Sequence, residues 1–225
     1  MVPFSAASSD LQSISSSSQD IKTSSKEKKK KTKLQLKAPT QERSKQTVNT
    51  LINSCSQILR TEGFFGVTTD KVAKLAGISI GSLYQFFGNK ESVVSAVIQN
   101  ALEKDMSLFA SKIVDVKALS IQDRKEVILK LMIEIFENDI ELKNKMIPIQ
   151  NYLLEPTWIN NYIDFFVKNI SKTLDMDKNP QAQIRISIFV SSFFGLIQNS
   201  IQQNKKISTD PEYLKQVSEL YIHYI

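Results

Sequence analysis

The sequence predicts an all-α fold in which a helix-turn-helix unit stands ahead of a larger helical domain. Two observations predict the class. Apolar residues recur at helical spacing through long stretches of the 225 residues, and no run alternates apolar with polar residues as a half-buried strand would. The stretch Val67–Lys90 predicts the unit. Thr68 suits a helix N-cap, Asp70 the positive end of the helix dipole, and Val72, Ala73, Leu75 and Ala76 supply a small apolar face that Gly77 terminates. Residues 77–80 then make a tight connection, and Gly81–Phe87 restart as a second short helix. Leu83 and one or both of Phe86 and Phe87 face inward there, which leaves Ser79, Ile80, Ser82, Tyr84 and Gln85 outside.

The other elements follow in order. Val48, Leu51, Ile52, Cys55, Ile58 and Leu59 form the inner stripe of a helix over Thr40–Thr61, closed by Gly63. A long fourth helix starts at Gly88 or Asn89 and runs to about Val114, a mechanical link between the two halves of the chain. Beyond Ser120 an amphipathic helix carries Val127, Ile128, Leu131, Met132, Ile135 and Phe136. Leu142–Leu154 is helical but expected to kink or break at Pro148, which lacks an N–H. Pro156, Pro180 and Pro211 each open a further helix at its first position. Ile184–Ile201 is apolar on nearly every side, yet Arg185 and Gln198-Asn199 interrupt it below the ~20 residues of a membrane span. It reads as a buried helix, and no membrane partner is expected.

Composition excludes several chemistries. With Cys55 the only cysteine there is no internal disulfide or cysteine-built metal site, and a reducing, cytoplasmic setting fits. His223 is the only histidine, so nucleophile–histidine pairs have almost no partner, and no phosphate-cradling glycine loop is present. The chain is therefore expected not to be an enzyme, and neither metal nor cofactor is expected. Of the net charge of +6, +5 resides in residues 1–40, beside the helix-turn-helix, where an anionic polymer would be met. Residues 1–39 are Ser- and Lys-rich without apolar periodicity and read as a disordered tail; the pattern of a signal peptide is not seen.

Residues 43–97, and above all Gly63-Phe64, Thr68-Thr69, Ala73, Gly77-Ile78-Ser79, Leu83-Tyr84, Phe87 and Lys90, resemble the DNA-binding domain of the TetR (tetracycline-repressor) family of transcriptional regulators. Phe86 departs from the pattern, standing where many members carry His or Tyr. The resemblance implies a helix-turn-helix DNA-binding domain over residues 40–93 and a helical effector-binding and dimerisation domain over residues 94–225. It further implies a homodimer on double-stranded operator DNA, with repression relieved by a small-molecule effector. Carried over residue by residue, Ile80, Gly81, Ser82 and Gln85 face base edges, Thr69, Tyr84 and Lys90 hold phosphates, and Thr68 and Ser79 belong to the same surface. The last two helices make the dimer, through Ser187, Ser191, Gly195, Val217 and Tyr221; the small residues let two backbones approach closely.

Candidates for the wall of an effector pocket are Met106, Phe109, Met132, Phe136, Met146, Tyr152, Trp158, Tyr162, Phe166 and Phe194. Aromatic and Met residues at helical spacing are more often plain core, so each is individually closer to core than to pocket. Taken together, with few charges among them, they favour a mainly lipophilic effector. The competing expectation is a helical DNA-binding or interaction protein without an effector.

Overall fold

The computed structural model describes residues 42–203 and 205–225. The reading of residues 1–39 as a disordered tail lies outside these residues. Nine α-helices are described: α1 (Glu42–Gly66), α2 (Thr69–Ala76), α3 (Ile80–Phe86), α4 (Lys90–Lys112), α5 (Ile121–Glu137), α6 (Ile140–Leu153), α7 (Pro156–Thr173), α8 (Pro180–Gln202) and α9 (Pro211–Ile222). No strand occurs among the described residues.

Helix starts follow local chemistry. Thr68, Ser79, Asn89, Ser120, Asp139, Asn179 and Asp210 each accept backbone N–H bonds at the head of α2, α3, α4, α5, α6, α8 and α9. Asn89 and Ser92 complete a reciprocal capping box, which fixes where α4 leaves the preceding helix. Pro156, Pro180 and Pro211 stand in the first turns of α7, α8 and α9, as the spacing predicts.

The long α1 and the two short helices α2 and α3 cross around one small core. Leu51, Cys55 and Leu59 of α1 pack with Val67, Val72, Leu83 and Phe87 and with Val93, Val94 and Ile98 of α4, all essentially without solvent contact. Gly63 interrupts α1 with φ 71° and ψ −177°, a conformation open to glycine almost alone, and turns the chain into Phe64-Phe65-Gly66 before α2. Leu75, expected on the inner face of α2, is 47% exposed; the eight-residue helix turns only Val72 and Ala73 fully inward.

The larger half is built around α4. That helix packs on α1, α5, α6 and α7; α7 packs on α8, and α5 on α9. Its centre is a ring cluster in which Phe109, Phe136, Tyr162, Phe166, Phe193 and Phe194 meet at centroid distances of 4.5 to 6.3 Å. Arg124, at the start of α5, ties three chain ends to this core. Its guanidinium donates to the carbonyls of Lys117, Leu119 and Thr173 and to the Asp175 carboxylate.

Two expectations need correction. Pro148 does not break its helix: α6 runs through it, because the ring lies on the exposed face while Leu142, Met146 and Gln150 anchor both sides of it. Nor does α8 fall short of membrane length. It has 23 residues and is long and apolar enough to cross a membrane by length and composition. It packs as a core helix nonetheless, with Ile186, Phe189, Val190, Phe193, Ile197 and Ile201 buried on its neighbours and Gln183, Arg185, Ser187 and Ser191 on the open side.

Burial sets the chemistry of the one cysteine. Removal of Cys55 from solvent pushes its thiol up to about 12, so almost no thiolate is present near neutrality. Native protein is expected to leave a disulfide-type thiol reagent unreacted at pH 8, and to consume one equivalent only once denatured. Stoichiometric labelling of folded protein within seconds would show that α1 does not pack as described.

Candidate functional site

The outer surface of α2 and α3 is a small polar platform on an apolar base. Gly77 adopts the left-handed conformation (φ 66°, ψ 27°) and its N–H, with that of Ile78, closes the end of α2 on Ala73 and Lys74. Only Ile78 and the cap Ser79 then separate α2 from α3. With Leu83 buried completely and Phe87 99% so, α3 is pinned from beneath, and its upper face is open. Ile80, Gly81, Tyr84 and Gln85 are exposed, and Ser82 and Phe86 are half-buried.

Hydrogen bonds order part of this surface. The Tyr84 hydroxyl and Thr69 Oγ1 lie 3.1 Å apart, linking α3 to the first residue of α2. Ser79 and Ser82 share a bond of 2.8 Å across the first turn of α3, while Thr68 and Ser79 spend their hydroxyls on capping. The Gln85 side chain makes no hydrogen bond among the described residues, which leaves its amide available. Lys90 is half-buried at the head of α4 with Nζ 4.2 Å from the centre of the Phe64 ring, a cation–π contact that holds the ammonium beside the platform. All nine expected DNA-facing residues thus fall in the α2–α3 unit or at the start of α4.

The second feature is a cavity of about 80 Å³ among α4, α6, α7 and α8, with Phe136 of α5 at one wall. Phe136, Tyr162 and Phe194, expected as pocket residues, line it, and so does Met146. Phe109, Met132 and Phe166 are instead solid core, fully buried and not part of the cavity wall. Tyr152 is 81% exposed on the outer face of α6, and Trp158 is half-buried without reaching the cavity.

Polar residues of the cavity wall escaped the sequence reading. Asp105 of α4 and Lys143 of α6 form a buried ion pair of 2.9 Å. Tyr162 Oη donates to the same carboxylate at 3.0 Å, and Lys143 Nζ also donates to the Ile135 carbonyl at 2.5 Å. Burial pushes the Asp105 carboxyl up against the opposing pull of Lys143 and Tyr162, and pulls the Lys143 ammonium down. Both charges interrupt apolar stripes, at Leu102-x-x-Asp105 and Leu142-Lys143-x-x-Met146, and that interruption was the available signal. Gln150 and Gln198 complete the polar part of the wall.

Asp105 and Lys143 also face a more polar cleft of about 360 Å³ that runs between α1, α4 and α6. At its rim Arg60 of α1 grips Asp139 with two bonds, Nε to Oδ1 at 3.1 Å and Nη2 to Oδ2 at 2.6 Å. Asp139 is the N-cap of α6 and sits in the left-handed region (φ 52°, ψ 49°). Burial raises its carboxyl, but the hydrogen bond and charge of Arg60 outweigh that and hold it below the usual carboxylate range. The α1 helix of the helix-turn-helix unit is therefore bonded directly to the helix that walls the cavity.

This geometry defines a helix-turn-helix protein with an exposed recognition helix and a helical domain behind it. Residues 52–97 match the family model described as bacterial regulatory proteins, tetR family. Residues 52–97 thus carry a TetR-type DNA-binding domain, and the chain has the fold of TetR-family structures. Among solved structures it is similar to a TetR-family regulator from Streptomyces coelicolor, with 18% identity, a TM-score of 0.61, and coverage of 80% of this chain and 96% of that one. It is similar also to the fatty acid degradation regulator FadR from Bacillus halodurans (17%, TM-score 0.57, 79% and 94%) and to the multidrug binding protein EbrR complexed with imidazole (14%, TM-score 0.60, 79% and 94%). No curated protein sequence matches the chain.

The buried pair yields a thermodynamic expectation. Lys143→Met or Asp105→Asn alone strands a buried partner and should cost about 3 to 5 kcal/mol. The double variant should lose clearly less than the sum of the singles in a urea-unfolding cycle. Additive losses would mean that the two groups do not interact in solution.

Proposed function

We propose that the protein is a homodimeric transcriptional repressor that grips a short palindromic operator with α3 and is released from it by a small, mainly lipophilic effector. The single observation that carries the DNA reading is the open upper face of α3. Gln85 has an unengaged amide there, between Tyr84 and Lys90, while Leu83 and Phe87 lock the helix from below. In this reading Ile80, Gly81, Ser82 and Gln85 meet base edges; Thr69, Tyr84 and Lys90 meet phosphates, and Thr68 and Ser79 order the surface. The DNA-binding domain spans residues 40–93 and the effector and dimer domain residues 94–225, in a cytoplasmic protein. An effector site is supported by the mainly apolar cavity and by the fold shared with a multidrug binding protein and a fatty acid degradation regulator.

Dimerisation through α8 and α9 is supported by the apolar area that one protomer leaves open. Ile184 and Ile188 are 61% and 50% exposed, beside the exposed Ser187, Ser191 and Gly195, and Leu220 of α9 is 63% exposed. A Cβ built on Gly195 meets nothing within 4 Å, so the space above it is free for a second helix. Val217 and Tyr221 need a different role from the one expected. Both are buried within the protomer, Tyr221 against the rings of Phe189 and Phe193, so they brace α9 from inside and leave the contact to Leu220 and Tyr224.

Binding to operator duplex should weaken steeply with salt, because phosphate contacts release counterions. Gln85→Ala should relax choice at particular base pairs by about 1 to 3 kcal/mol, whereas Lys90→Ala and Tyr84→Ala should lower affinity for all sequences alike. Equal, sequence-blind losses from all three, measured by fluorescence anisotropy on operator and scrambled duplexes, would remove base reading from Gln85.

Gly195→Trp should overpack the two symmetric copies of the interface by about 1 to 3 kcal/mol each. Light scattering should report monomer or aggregate, and operator binding should be lost although position 195 is far along the chain from α3. A variant that stays dimeric and binds operator normally would place the interface elsewhere.

A further inference from the structure

We infer that the cavity takes a small uncharged molecule whose hydrogen-bonding head, a hydroxyl or an amide, is held by the side-chain amide of Gln150. The inference rests on reading this cavity as the effector site. Three observations carry it.

The first is Gln150 itself. Only 7% of the residue is exposed, it lines the cavity, and its side-chain amide makes no hydrogen bond among the described residues. Among the described residues no side-chain N or O atom shut off from solvent lacks a partner, so the Gln150 amide opens onto the cavity space, where water satisfies it until a ligand atom replaces it. Gln198 of α8, half-buried on the same wall, likewise makes no side-chain hydrogen bond among the described residues. An amide offers one accepting oxygen and a donating nitrogen, which complements a head able both to donate and to accept.

The second is the state of the charges. Asp105 already receives Lys143 Nζ at 3.1 and 2.9 Å and Tyr162 Oη at 3.0 Å, and Lys143 spends a further N–H on the Ile135 carbonyl. The pair is neutral as it stands. A ligand carboxylate would have to share Lys143 and leave a surplus negative charge in an apolar enclosure; a ligand ammonium would compete for Asp105 and leave a surplus positive one. A neutral head disturbs neither balance.

The third is size and lining. Apart from these groups the wall is Leu102, Met146, Ile159, Ile163, Phe194 and Ile197 or similar side chains. At about 80 Å³ the space is smaller than the ~150 Å³ that holds a benzene in an engineered cavity, so a head and a short alkyl chain fill it.

Butan-1-ol, butanoate and butylamine share that size and differ in charge, so they are the probes. Each is titrated into the full chain by isothermal calorimetry and followed by melting temperature, for the native sequence and for Gln150→Leu. Gln150→Met serves as a second variant should the first fail to fold. Butan-1-ol should bind at least about tenfold more tightly than either ion, and Gln150→Leu should remove about tenfold of that affinity without lowering the melting temperature of the free protein. Tightest binding by butanoate or butylamine would overturn the uncharged class while leaving the cavity as an effector site. Undiminished binding of butan-1-ol to Gln150→Leu would overturn the role of Gln150. No binding of any of the three would overturn both this inference and the effector reading of the cavity.

Discussion

The buried pair between Asp105 and Lys143 is the contact around which the larger half is arranged. It joins α4 to α6, and Tyr162 draws in α7, so three helices that would otherwise meet only through apolar packing are set in one register. Apolar packing is non-directional, whereas a buried ion pair fixes direction as well as distance, because separation leaves two charges without solvent. Gln150, about two turns along α6 from Lys143, belongs to the same wall.

That pair also stands between two spaces of different character. On one side is the small apolar cavity, and on the other the polar cleft against α1. One turn before Lys143, Asp139 caps α6 and holds Arg60 of α1. Anything that moves the first turn of α6 therefore acts on a charged contact that reaches into the helix-turn-helix unit. The Arg60–Asp139 bond is partly exposed and individually weak. Its position matters more than its strength, since two parallel bonds fix direction as well as distance.

The recognition surface depends on a different device. Here α3 has only seven residues and would not form alone, so its stability comes from Leu83 and Phe87 below and from the cap at Ser79. The Thr69–Tyr84 and Ser79–Ser82 bonds then order the upper face of α3. Among the polar side chains of that face, Gln85 alone makes no hydrogen bond to the described residues.

By itself the sequence determined the local features: helix starts at Thr68, Asn89 and Ser120 and at the three prolines, the turn at Gly77, and the inward Leu83 with outward Tyr84 and Gln85, whereas the start of α3 at the Ser79 cap falls inside the stretch it reads as connection. Capping and left-handed turns involve residues within one or two turns of each other, so their chemistry is written in adjacent positions. Which aromatic residues wall the cavity and which fill the core was decided only by the tertiary structure. Phe136, Phe166 and Phe194 share one periodic pattern and differ only in what the neighbouring helix puts opposite them. Pro148 stayed helical because the packing of its flanking residues overrides a local preference worth only a few kcal/mol, and Tyr221 lies inward because α8 sets Phe189 and Phe193 opposite it. The Asp105–Lys143 pair lies 38 residues apart along the chain. Each charge was visible as a break in an apolar stripe, but only the crossing of α4 and α6 made them partners.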